Sequence, residues 1–224
     1  MIRFEGVSHY FGAREVLKPF SLELTERRVA IIGANGSGKS TFVRLINGLL
    51  IPSSGRVTVD GLDTKSDGKQ VRGKVGFVFQ NPDNQIVYPI VEEDLAFGLK
   101  NRKLPKDEIA RQVEIALQRF GLSHLAKEQT HRLSGGEKQM VAIAGVTILE
   151  PEIIVFDEPT TLLDLRNTRR VAQTISGLNE TAIMVTHDLN LIAGFDRTLV
   201  FDEGAIVFDG APRDAISHYE SLMG

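Results

Sequence analysis

The sequence predicts an α/β fold, in which a parallel sheet joined by crossover helices is interrupted by a mostly helical insertion. Three observations predict it. An apolar, β-branched-rich run, Val29-Ala30-Ile31-Ile32, meets a glycine-rich turn and then a helical stretch. A second apolar run, Ile153-Ile154-Val155-Phe156, ends in the adjacent carboxylates Asp157 and Glu158. From about residue 150 onward, strand-like and helix-like segments alternate, as parallel strands with crossovers require.

Each element follows from its own stretch. Residues 1–32 read as short strands with turns, closing on the 29–32 run, which is apolar on both faces like a buried parallel strand. Phe42 to Gly48 reads as a helix that runs out near its glycine. Residues 55–80 return to short strands, Arg56–Val59 and Val75–Phe79. A polar, helical middle follows: Ile109, Val113, Ala116, Leu117 and Phe120 recur at helical spacing, and Gly121 supplies the stop. Beyond it come a strand at Ile153–Phe156, a helix at Thr168–Leu178, a strand at Ala182–Thr186 and a helix at Leu189–Ala193. No repeat and no long linker divides the 224 residues. The expectation is one domain, with core pieces at 1–80 and 150–224 and a helical insertion at 81–149.

Composition removes several classes of function. With 26 Lys and Arg against 29 Asp and Glu, the formal charge of −3 offers no basic face for nucleic acid. The absence of cysteine excludes disulfides and thiolate metal sites, in keeping with a reducing compartment. Met1-Ile2-Arg3-Phe4-Glu5 lacks the pattern of a secretion signal. The best candidate for a membrane span, Val141–Leu149, falls well short of the roughly 20 apolar residues needed.

The turn after Ile32 reads Gly33-Ala34-Asn35-Gly36-Ser37-Gly38-Lys39-Ser40-Thr41 and matches G-x-x-x-x-G-K-[ST] in its required strand–loop–helix context. Bare glycines let backbone N–H groups of Asn35, Gly36, Ser37 and Gly38 surround phosphates, and the helix start adds its positive dipole end. Lys39 reaches the β and γ phosphates of a nucleoside triphosphate, the Ser40 hydroxyl ligates Mg²⁺, and Thr41 lies by the α phosphate. Asp157, at the end of its apolar strand, is expected to hold Mg²⁺ through water. Glu158 is expected to polarise the attacking water.

Between these segments lies Leu133-Ser134-Gly135-Gly136-Glu137. Ser134 with Glu137 is a capping box opening a helix that Met140, Val141 and Ala144 continue. Two glycines in that first turn are unhelpful to a helix, at about 1 kcal/mol each in an interior position. Exposed N–H groups at a helix start form an anion site. A second anion site in a chain that already has a phosphate loop makes sense if a second molecule presents its triphosphate there.

With these motifs in this order over nearly its whole length, the chain resembles the ATPase subunits of ABC transporters. The resemblance implies a P-loop NTPase fold with a RecA-like parallel-sheet core, an N-terminal antiparallel β subdomain and an inserted helical subdomain. It implies that Ser134, Gly135 and Gly136 contact the γ phosphate held by the opposite protomer of a head-to-tail dimer. Gln80 would sense Mg²⁺ and the attacking water, Asp164 would lie at the dimer interface, and His187 would be the γ-phosphate switch. Phe11 falls where the family stacks an aromatic ring on adenine, with Tyr10 as the alternative. Two departures stand out. Glu137 replaces the usual glutamine, and Thr161-Leu162-Leu163-Asp164-Leu165 lacks the small residue and proline usual around Leu-Asp.

Phe79-Gln80-Asn81-Pro82-Asp83-Asn84-Gln85 and Val91-Glu92-Glu93-Asp94-Leu95-Ala96-Phe97-Gly98 are similar to the energy-coupling factor branch, which imports vitamins and transition-metal ions. In that branch the segment after the loop glutamine docks helices of a membrane-embedded coupling subunit; here Ile86–Val91 would serve. The resemblance therefore implies ATP and Mg²⁺ as cofactors and a second ATPase subunit, a homodimer being favoured. It also implies a transmembrane coupling subunit, a substrate-binding membrane subunit, and a peripheral position on the cytoplasmic face of the membrane. The chain ends soon after Gly210-Ala211-Pro212, a short form for the branch, and with the unusual 161–165 segment it looks most like the ATPase subunit of biotin transporters. A cobalt, nickel or amino-acid importer remains open, and so does a soluble ABC ATPase of DNA repair or translation.

Overall fold

The computed structural model describes residues 1–102 and 104–224. The chain opens with two long strands, β1 (Ile2–Phe11) and β2 (Arg14–Leu24), then enters β3 (Arg28–Gly33) and, through a loop, helix α1 (Lys39–Ile46). Next come β4 (Ser54–Val59), β5 (Leu62–Asp63), α2 (Gly68–Lys74) and β6 (Val75–Val78). Three helices follow, α3 (Val91–Lys100), α4 (Lys106–Arg119) and α5 (Gly135–Thr147), before the chain returns in β7 (Ile153–Asp157), α6 (Leu165–Ser176) and β8 (Thr181–Val185). It closes with β9 (Arg197–Asp202), β10 (Ala205–Gly210) and α7 (Pro212–Met223).

Two sheets result. The first is antiparallel, in the order β2-β1-β4-β5. The second has the order β10-β9-β3-β8-β7-β6; β9, β3, β8, β7 and β6 run parallel, and β10 pairs antiparallel at the edge. This is the α/β architecture predicted from the apolar runs, with the antiparallel sheet and the helices between β6 and β7 that the family resemblance implied.

The parallel strands are apolar throughout because both of their faces are covered. Side chains alternate along a strand, and each face feeds a different core. Ala30 and Ile32, Ile154 and Phe156, and Ala182 and Met184 pack with the helices inserted after β6. Val29 and Ile31, Ile153 and Val155, and Ile183 and Val185 pack with α1 and the antiparallel sheet. The central sheet thus fixes every loop at its carboxyl edge from both sides.

Three expectations change. The N-terminal strands are not short but 10 and 11 residues long, since each is extended by pairing across the hairpin. The helix expected at Leu189–Ala193 is a single 3-10 turn, Leu189–Leu191. Asp188 caps that turn by accepting from the Asn190 N–H at 3.0 Å, and too few residues precede Gly194 for an α-helical nucleus to be repaid by propagation. The helix expected at 168–178 begins at Leu165, because Asp164 accepts the Asn167 N–H at 2.8 Å and caps it there. Residues after 193, where the pattern predicts no element, form β9, β10 and α7.

Candidate active site

Four neighbouring parallel strands bring the predicted residues to one edge. β3 delivers the glycine loop, β8 is followed by His187, β7 ends in Asp157 with Glu158 next, and β6 leads to Gln80. Loops at the carboxyl ends of strands are where open α/β sheets form their crevices. Here Phe11, Asn35, Gly36, Gly38, Lys39, Ser40, Thr41, Gln80, Glu158 and His187 line one cleft of about 980 Å³. Ser37 and Asp157 lie beneath it, buried, and the Ser37 hydroxyl has no hydrogen-bond partner.

The loop conformation depends on its glycines most at Gly38, which sits at φ +104° with the Val16 carbonyl oxygen 2.8 Å from where a Cβ would lie. A side chain there meets both strain and a backbone atom. Lys39, the first residue of α1, folds back over the loop and donates from Nζ to the carbonyls of Gly33 and Ala34, both at 2.8 Å. Burial pushes its ammonium below the ordinary lysine value, and the nearby Glu158 and Asp157 oppose that shift. The result is a buried cation held by weak neutral acceptors at the floor of a cleft sized for a nucleotide.

Of the residues expected around Mg²⁺, Ser40 and Asp157 present oxygen atoms, whereas the Gln80 amide turns its Nε2 to Glu158 Oε2 at 3.2 Å. Asp157 Oδ1 accepts from Ser40 Oγ at 2.8 Å. Among the described residues no cluster of three or more His, Cys, Asp or Glu could hold a metal on its own. One carboxylate and one hydroxyl beside a phosphate loop suit Mg²⁺, which takes few protein ligands and completes its shell with water and substrate phosphates.

A residue that the sequence reading missed completes this floor. Arg44, on α1, donates to Asp157 Oδ2 at 3.1 Å. Asp157 is only 2% exposed, and a carboxylate so buried needs a counter-charge. Arg44→Met is expected to destabilise the nucleotide-free protein by about 2 kcal/mol, a value reduced from that of fully buried pairs because the arginine is part-exposed. Thermal unfolding measures it; an unchanged midpoint contradicts the role.

Glu158 collects three partners on one oxygen. Its Oε2 accepts from Thr161 Oγ1 at 2.8 Å and from Gln80 Nε2 at 3.2 Å, and His187 Nδ1 lies 3.6 Å away. Its backbone sits at φ +51°, in the left-handed region that non-glycine residues rarely enter. The bond from its N–H to the Val185 carbonyl, 3.0 Å, holds it there. Strain of this kind persists where the surroundings over-determine it, and it clusters at functional sites.

At the other end of the cleft Phe11 is 52% exposed, its ring edge-on to His9 at 4.7 Å. Tyr10 does not line the cleft, and its hydroxyl donates to Glu15 at 2.6 Å. Gly33 and Ala34 of the phosphate loop, Arg14 and Val16 of β2, Thr161, and Tyr219 of α7 complete the lining. No local signal marks Arg14, Val16 or Tyr219, because pairing and packing between distant segments bring them there.

Ser134, Gly135 and Gly136 do not join this cleft. They begin α5, where the capping box forms as predicted: Ser134 Oγ accepts the Glu137 N–H, and Glu137 Oε2 accepts the Ser134 N–H at 2.8 Å. Gly136 has a packing reason of its own. A Cβ there would lie 2.3 Å from the Asn167 amide, whereas at Gly135 nothing comes within 3.8 Å. Asn167 is itself fixed by Asp164, which accepts its N–H at 2.8 Å and its Nδ2 at 3.0 Å. Leu162 and Leu165, on either side of Asp164, are 67% and 66% exposed. Gly136→Ala is expected to lose about 1 kcal/mol net, since overpacking against a fixed neighbour outweighs the better helix propensity. Adding Asn167→Ala restores stability if the contact is the cause; urea unfolding of the three variants decides it.

Of the segment Ile86–Val91, Val91 is fully buried, Val87 is 69% exposed, and the Tyr88 ring packs tilted against Phe97 at 5.2 Å. It is partly core and partly surface.

The family model for ABC transporters matches residues 17–161. The chain belongs to the ABC transporter family and is one of its ATP-hydrolysing cassettes. It is 52% identical over 221 residues to the biotin transport ATP-binding protein BioM of Rhizobium etli, covering 99% of this chain and 98% of that one. It is 44% identical over 226 residues to the energy-coupling factor transporter ATP-binding protein EcfA1 of Halalkalibacterium halodurans, covering 97% and 81%. The solved structure of cbiO1 from Clostridium perfringens, part of the ABC transporter complex cbiONQ, superposes with a TM-score of 0.86 at 35% identity, covering 99% of this chain and 92% of that one. Among the described residues no helix is long and apolar enough to cross a membrane.

Proposed function

We propose that this chain is the ATPase of an energy-coupling factor importer that takes up a vitamin, biotin being the best-supported cargo. It would work as a head-to-tail homodimer on the cytoplasmic face of the membrane, with a transmembrane coupling subunit and a substrate-binding membrane subunit. The likeness to the biotin and energy-coupling factor cassettes supports the branch and the cargo. One observation carries the mechanism: Lys39, Gln80, Glu158 and His187 share a cleft from which Ser134–Gly136 are absent. A second segment suited to anions that does not line its own phosphate cleft supports completion of the site by a second chain.

In this reading Phe11 stacks on adenine, the backbone of Asn35 to Gly38 cradles the phosphates, and Thr41 lies by the α phosphate. Lys39 exchanges the Gly33 and Ala34 carbonyls for the β and γ phosphates. Ser40 and Asp157, with Gln80, would hold Mg²⁺, which when bound neutralises charge on the phosphate oxygens. Glu158 orients and deprotonates the attacking water, with Gln80 and Thr161 fixing its carboxylate and His187 placed to meet the γ phosphate. Asp164 would lie at the dimer interface beside the exposed Leu162 and Leu165. Residues 1–80 and 150–224 would serve as the nucleotide-binding core and 81–149 as the helical arm that carries the signature segment.

The test is purification of the tagged chain from native membranes in mild detergent, followed by labelled-biotin uptake in cells lacking the chain. Recovery of two membrane proteins and uptake restored by the wild type but not by Glu158→Gln is the expected result. Recovery of soluble partners alone, or of ribosomes or DNA, overturns the transport reading; uptake of another substrate alone overturns biotin.

A further inference from the structure

Glu137, where the sequence departs from the family's glutamine, has taken possession of the signature serine. Its Oε2 accepts from the Ser134 N–H at 2.8 Å and from the Ser134 hydroxyl at 2.7 Å. The hydroxyl hydrogen that an incoming phosphate would need is therefore already committed, and it is committed to an anion. The bonds from the Ser134 hydroxyl and backbone hold the Glu137 carboxyl below the ordinary glutamate range, and the neighbouring His124 and Arg170 act in the same direction. At neutral pH it is a carboxylate, seated on the positive end of the α5 dipole.

We infer that Glu137 is a positioning residue that holds Ser134 in reserve, so that the partner's triphosphate must displace a carboxylate before the dimer closes. This rests on the reading of Ser134–Gly136 as a contact made in trans. A triphosphate arriving here competes with a charge-assisted hydrogen bond and meets like-charge repulsion. Glutamine at the same position keeps an acceptor oxygen, the capping box and the side-chain length, so the helix start survives. Only the charge is lost. The carboxylate thus sets a threshold: it raises the ATP concentration at which two protomers associate.

The experiment compares full-length Glu158→Gln with the Glu158→Gln/Glu137→Gln double variant, reading dimer fraction by light scattering across an ATP titration with Mg²⁺. The double variant is expected to dimerise at about fivefold lower ATP, the ratio separating charge-assisted from neutral hydrogen bonds. Its unfolding temperature should fall by no more than about 4 °C, the cost of removing one charge from a helix start. An ATP requirement that is unchanged or higher overturns the inference, because a purely structural cap predicts one of those two outcomes. Ser134→Ala in the same background separates the two levels. If it prevents dimerisation while Glu137→Gln changes nothing, the inference alone falls. If Ser134→Ala has no effect, or Glu158→Gln never dimerises, the contact in trans fails and takes the inference with it.

Discussion

Glu158→Gln is expected to slow ATP turnover by about 10²- to 10⁴-fold, the contribution of a positioned general base, while ATP binding is retained. Glutamine has the same length and retains an oxygen for the Thr161 hydroxyl, so the backbone at φ +51° and its bond to Val185 have no reason to move. What disappears is proton affinity at the one oxygen on which Thr161, Gln80 and His187 converge. Bound ATP then persists, and the chain should elute as a dimer in ATP and Mg²⁺ but as a monomer without them. Turnover within tenfold of wild type removes Glu158 from the role of base. A monomer in saturating ATP removes the closing dimer from the mechanism.

Lys39→Ala should weaken ATP binding by about a hundredfold or more, as truncation of one partner in a desolvated charge pair does. Among the described residues Lys39 Nζ donates only to the carbonyls of Gly33 and Ala34. Burial already makes its charged form costly, so a phosphate dianion is a far better partner than two neutral oxygens. Removing the ammonium also relieves that burial cost, and the variant should stay folded. Calorimetric titration with ATP, with circular dichroism as the control for folding, checks both halves. Binding within threefold of wild type contradicts the assignment.

The central sheet and the phosphate loop were legible because their signals are local and redundant. Val29–Ile32 and Ile153–Phe156 are apolar at every position, which only a two-faced burial explains, and the glycine motif stands between a strand and a helix. The capping box was legible for the same reason: Ser134 and Glu137 lie within one helical turn. Illegible features depend on distant partners. Arg44 meets Asp157 across 113 residues of sequence, and nothing in Phe42-Val43-Arg44-Leu45 marks the arginine as more than a polar face of α1. Tyr219 reaches the cleft only because α7 packs back over β9 and β10. The Leu189–Ala193 error has the opposite cause: a helical pattern was present, but the loop between two parallel strands left no room for it.

Asn167 gives the molecule a mechanical property that neither of its neighbours has alone. Its amide is wedged against Gly136 on one side and tied to Asp164 on the other. Close-packed contacts of this kind transmit displacement instead of absorbing it. The two groups expected to grip the opposite protomer therefore form a single latch, not two fingers. Where two such chains pair as proposed, the Ser134–Gly136 and Asp164 segments are expected to engage and release together, so that the force delivered to a membrane partner comes as a step instead of a slope.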